Sequence, residues 1–125
     1  MSEFNVYHKT CPARLVLDRL SNKWSLLILD RLSDESMRFN QLRRDIEGVS
    51  QKVLSQTLKN LERDGLVHRQ AFATVPVTVE YSITSLGQTL VKTIHDLTHW
   101  AEDNIGEITR AQQRYDNTEP ASSSI

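Results

Sequence analysis

Ser50, Gln51, Lys52, Ser55, Gln56 and Lys59 place hydrogen-bonding side chains at steps that a helix gathers onto one face. Gln can bridge N6 and N7 of adenine, and Lys can donate to O6 or N7 of guanine. Such a face has the chemistry to read base edges in a DNA major groove. Alone, the same pattern describes the solvated side of any amphipathic helix. Two other sets of residues carry reactive or ligating atoms. Cys11, the single cysteine, directly precedes Pro12 and so stands at a helix start. Free N–H groups and the helix dipole there favour a thiolate. With no second cysteine, its chemistries are an intersubunit disulfide, alkylation or a mixed disulfide with a small thiol. Packing at the helix start is the plainer role. His95 and His99 are four apart, a spacing that can chelate a metal, with Glu102, His8 and Cys11 as further donors. A polar pair on a helix face is the simpler reading.

The elements that must position these residues follow from periodicity. Pro12 suits the first helical position, and Ala13, Leu15, Val16, Leu17 and Leu20 form an apolar stripe behind it. After the Ser21-Asn22 break, Lys23–Leu32 reads as a second, mostly apolar helix at the centre of the domain. Met37-Arg38-Phe39 reads as extended. Asn40 is a candidate cap for a short helix through Ile46. Glu47-Gly48-Val49 is a tight turn. Ser50 caps a helix that runs to Asp64 and stops at Gly65, with Val53, Leu54, Thr57, Leu58 and Leu61 inward. The period then falls to two over Leu66–Gln70 and Val77–Ile83, a hairpin with a loop over 71–76. Thr84 can cap a long helix from Ser85 to about Asn104, with a continuation past Gly106 to Tyr115. Asp116–Ile125 is polar and reads as a disordered tail. A helix, a Gly-containing turn, a second helix and a hairpin make a winged helix-turn-helix, whose second helix enters the major groove.

Composition permits this. The 125 residues are one domain's worth, and the formal net charge of −1 excludes a uniformly basic nucleic-acid binder. Arg38–Gln70 holds seven bases against four acids, a local surplus of +3, while the rest of the chain is −4. Phosphate neutralisation needs cations where the duplex lies, and the surplus sits there. The longest apolar run, Leu26–Leu29, is far short of the roughly 20 residues of a membrane span. The polar opening residues carry no secretory signal pattern, and one cysteine builds no disulfide framework, so the expected compartment is the cytoplasm. There is no nucleotide-binding glycine loop, Ser-His-Asp set or paired carboxylate motif, so an enzyme is not expected. A winged helix serving only protein contacts would have a more apolar or acidic face than Gln51-Lys52-Ser55-Gln56-Lys59.

Several stretches together resemble the HxlR-type regulators, bacterial winged-helix transcription factors of the MarR/HxlR kind. They are Cys11-Pro12, Lys23-Trp24 with its apolar continuation, Arg38-Phe39-Asn40-Gln41-Leu42, Ile46–Leu54, Leu58–Val67, and Val75–Thr84 followed by Leu86-Gly87. The resemblance covers about Cys11 to Ala101. One departure is Val77, where the family often has a second proline. The resemblance implies a homodimer packed through its first and last helices, bound to an inverted-repeat operator, usually as a repressor. The apolar positions of Pro12–Leu20 and Leu86–Ile108 agree, being too many for one small domain to cover. Arg38, Arg43 and Arg44 would face phosphates, and the wing tip Thr74-Val75-Pro76 would reach toward the minor groove. Some members sense oxidants or electrophiles through a cysteine near this position, which makes Cys11 the candidate switch.

The expected architecture is mainly α with a small β-hairpin wing. It has an N-terminal arm (1–11), a winged helix-turn-helix domain with terminal dimerisation helices (12–115) and a disordered tail (116–125). The expected partners are double-stranded operator DNA, a second copy of the chain, and an oxidant or electrophile. No cofactor or membrane is expected. The alternative effector is a metal at His95 and His99, or a small molecule in a pocket near Trp24 and Trp100.

Overall fold

Pro12 has no N–H to leave unpaired, so it opens helix α1 (Pro12–Leu20) at no hydrogen-bonding cost. In the computed structural model, which describes residues 4–118, five helices and three strands follow in chain order. They are α1, α2 (Lys23–Leu32), β1 (Met37–Arg38), α3 (Phe39–Asp45), α4 (Gln51–Arg63), β2 (Val67–Phe72), β3 (Thr78–Ile83) and α5 (Ser85–Thr118). The described residues form two compact units, one through Ile94 and one from His95 onward.

In the first unit α2 is central, as its apolar sequence predicts. Asn22 caps it by accepting from the Trp24 N–H at 2.8 Å. Ile28, Leu29 and Leu32 are buried with Leu42, Ile46, Val49, Leu54, Leu58, Leu61, Leu66, Val67, Met37 and Ile94 in one core. The buried Ser25 hydroxyl donates to the Arg19 carbonyl at 3.1 Å, closing the α1–α2 corner.

Three sequence expectations change here. Asn40 does not cap α3. The cap position falls two residues earlier, at Arg38, so the helix begins at Phe39, and Gln41 Oε1 reaches back to accept from the Arg38 N–H at 3.0 Å. Phe39 packs against the core, and that packing prevails over the local preference of Asn for a cap position. The β structure is not a lone hairpin. β1 adds to it, giving an antiparallel sheet of order β1-β3-β2, with Met37 opposite Tyr81 and Arg38 opposite Glu80. The hairpin strands also start later than the alternation suggests, so Val77 lies in the loop.

The exit from α4 shows why Gly65 is glycine. The Leu66 N–H donates to the Leu61 carbonyl at 2.9 Å and the Gly65 N–H to the Glu62 carbonyl at 3.0 Å. This Schellman pattern needs a left-handed residue, and Gly65 has φ of 79°. The Thr84 hydroxyl then joins two elements. It donates to the Gly65 carbonyl at 2.6 Å and accepts from the Gly87 N–H at 3.0 Å, capping α5 as its position predicts.

The second unit is the continuation of α5. It stays helical through Asp116-Asn117-Thr118, three residues into the stretch read as a disordered tail. The rest of that stretch, 119–125, lies outside the described residues, as do residues 1–3 of the proposed arm. Leu97, Trp100, Ile105 and Tyr115 are exposed along this unit.

Candidate nucleic-acid interface

The turn between α3 and α4 joins the helix that carries Arg43 and Arg44 to the helix that carries Gln51 and Lys52. Ile46 leaves helical geometry, Gly48 takes φ of 94°, and Ser50 enters α4 in an extended conformation. Ser50 Oγ accepts from the Val53 N–H at 3.1 Å, as an N-cap should. That cap fixes the helix start and leaves Gln51 and Lys52 exposed in its first turn. Gln56 and Lys59 are exposed further along, and Ser55 is half-buried. Gln56 Nε2 donates to Asn60 Oδ1 at 3.3 Å, so it is held along the helix surface.

Val53 was expected in the inner stripe, but it is 37% exposed, at the border between Lys52 and the core-facing Leu54. A Val there could meet a thymine methyl. This border position is legible in the helical angle, which sets Val53 100° from exposed Lys52 on one side and 100° from buried Leu54 on the other.

Arg38, Arg43 and Arg44 are all exposed. Asn40, Arg43 and Arg44 line one shallow recess. A larger open groove of about 790 Å³ lies between the start of α3 and β3, with Arg38, Asn40, Gln41, Arg44, Thr78 and Glu80 among its lining residues. The wing tip is exposed at Val75 and Pro76, while Thr74 Oγ1 donates to the Pro76 carbonyl at 2.7 Å and so braces the loop from inside.

Two of the four acids in the basic segment are tied up by ion pairs that the sequence did not foretell. Arg31 on α2 holds Asp45 at 2.7 Å. Arg19 on α1 holds Asp64 through two hydrogen bonds of 2.8 and 2.9 Å. This bidentate pair raises the Arg19 pKa, chiefly through the hydrogen bonds to Asp64 and less through its charge, against a lowering by desolvation. Both arginines lie outside the Arg38–Gln70 segment, so its cations face fewer free carboxylates than a formal count suggests.

The other candidates lie on other elements: Cys11 beside α1, Trp24 on α2, and His95, His99 and Trp100 on the second unit. Cys11 is the N-cap residue of α1, buried at 6% exposure, with a free thiol that makes no capping hydrogen bond. The His95 and His99 rings stack with centroids 6.1 Å apart. Among the described residues no three His, Cys, Asp or Glu side chains gather around a common point. Trp24 is half-buried against the core, with the Lys23 ammonium 4.6 Å from its ring centroid. Trp100, in the second unit, is 56% exposed.

Comparison with known proteins matches this arrangement to a family. A family model described as HxlR-like helix-turn-helix matches residues 19–109. The uncharacterized HTH-type transcriptional regulator YtfH of Escherichia coli (strain K12) is 42% identical over 108 residues, covering 86% of each chain. Among solved structures, the transcriptional regulator YtfH from Salmonella typhimurium superposes with a TM-score of 0.84 at 39% identity, over 89% of this chain and 99% of that one. The redox regulator HypR in its oxidized form gives 0.70 at 37% identity, over 75% and 97%. The helix pair α3–α4 with its strand-paired wing is therefore a winged helix-turn-helix, and this chain, a transcriptional regulator of the HTH type and not an enzyme, belongs to the HxlR-like helix-turn-helix family.

Proposed function

We propose that this chain binds an inverted-repeat operator as a homodimer and represses transcription from it. The observation that carries this reading is the exposed, Ser50-capped start of α4, with Arg43 and Arg44 exposed on α3, the helix that precedes it. In this reading Gln51, Lys52, Ser55, Gln56 and Lys59 face base edges in the major groove. Arg38, Arg43 and Arg44 neutralise phosphates, and Thr74-Val75-Pro76 approaches the minor groove. The free N–H groups at the α4 start add an anion site for the backbone. A second copy covers apolar side chains that the single chain leaves to water. Leu15 and Leu17 are exposed on α1, and Leu97, Trp100 and Ile105 are exposed on the second unit. Two copies related by a two-fold axis set two α4 helices about one DNA turn apart. A gel shift with the protein's own upstream region tests the reading. A retarded band that weakens steeply as salt rises supports it, and no retardation at low salt refutes it.

Cys11 is the proposed switch within this function. Its support is the position at the N-terminus of α1 and the 37% identity to HypR, which is named a redox regulator. The thiol reacts by intersubunit disulfide formation, alkylation or a mixed disulfide. The Cys11→Ser protein is expected to bind operator DNA like the unmodified chain and to stay bound when a quinone or peroxide is added. A serine variant that still releases DNA on oxidation would remove Cys11 from the mechanism.

A further inference from the structure

Glu80 is out of place in the groove that lines the start of α3. It is the single acid in a lining that includes Arg38 and Arg44. In the sheet, Glu80 lies at the centre of a three-residue row, paired with Arg38 on β1 and with Gln70 on β2. Directly paired residues of an antiparallel sheet share a face, with Cβ atoms about 5 Å apart. Glu80 is half-buried, and its side chain makes no ion pair or hydrogen bond among the described residues. The fold therefore gains no bond from this carboxylate. Its reach is over the surface that the proposed function gives to the DNA backbone.

We infer that Glu80 is a brake on backbone affinity that acts through Arg38. A carboxylate near a guanidinium offsets part of its charge before a phosphate arrives. Arg38 then contributes less than a full cation to the counterions released on binding. The effect limits sequence-independent attraction, which depends on backbone charge, and leaves the contacts of the α4 face to decide where the protein stays. This role rests on the DNA reading above.

The test is a double-mutant cycle on an unrelated duplex, with binding followed by fluorescence anisotropy at several salt concentrations. Glu80→Gln should bind about 3–10-fold more tightly than the unmodified chain and steepen the log–log salt slope by about one. In an Arg38→Ala background the same change should give less than about twofold. Unchanged or weaker binding by Glu80→Gln overturns the role, and so does an equal gain in the Arg38→Ala background, since Glu80 would then act without Arg38. A matching thermal melt is expected. A destabilised Glu80→Gln protein would show that the carboxylate serves the fold, which also overturns it. If the unmodified chain binds no duplex at all, the DNA reading falls and takes this role with it. Binding without a Glu80 effect removes this role alone.

Discussion

Replacing Gln51 and Lys52 together with alanine is expected to weaken operator binding by about 100-fold or more while leaving the thermal melt unchanged. Both side chains are exposed in the first turn of α4, the part of a recognition helix that lies deepest in the groove. Each good contact to a base edge is worth about 1–3 kcal/mol, so two lost contacts reach that range. Neither side chain is in the core, so the fold loses nothing. Binding to an unrelated duplex should fall far less, because only one cation is removed. The pattern separates reading from mere attraction. Equal losses on both duplexes would make Lys52 a phosphate contact and leave Gln51 without a base partner. Anisotropy titration of the double variant on both duplexes is the measurement.

Gly87→Ala is expected to be the most damaging single methyl in the protein. Gly87 lies in the first turn of α5, where alanine normally gains about 1 kcal/mol over glycine. Here the sign reverses. A Cβ at Gly87 would collide with the Leu66 carbonyl oxygen and fall 2.6 Å from Ile83 Cγ1. The carbonyl cannot retreat freely, because it accepts from the Thr84 N–H at 3.1 Å. Overpacking of this kind costs about 1–3 kcal/mol, and the blocked backbone puts Gly87→Ala at the upper end. For a domain of this size the Tm should fall by roughly 10 °C, read from a circular dichroism melt. A variant as stable as the unmodified chain would mean that α5 can shift off the sheet without penalty.

What could be read in the sequence was whatever depends on neighbours along the chain. Pro12 and the apolar stripe behind it set α1, and the Ser50 cap and Gly65 stop bracket α4, because a cap or a left-handed glycine acts within four residues. Met37-Arg38 read as extended, but its partner was not legible. A two-residue strand pairs only because β3 arrives beside it some 40 residues later. The start of α3 was misread for a related reason, since the core position of Phe39 is a tertiary fact. The exposed face of α4 was legible as a pattern, apart from Val53. The acids within its segment were not, because Arg31–Asp45 and Arg19–Asp64 join residues from different helices. Glu80 gave no signal at all, since its nearness to Arg38 follows from sheet register alone.

The most direct measurement of whether this chain reads DNA through α4 is a salt titration of its affinity for its own upstream region and for a scrambled duplex. Between about 50 and 200 mM salt, both affinities should fall along straight log–log lines, with the upstream duplex at least about 10³-fold tighter throughout. Equal affinity for the two sequences, or an affinity that ignores salt, would contradict it.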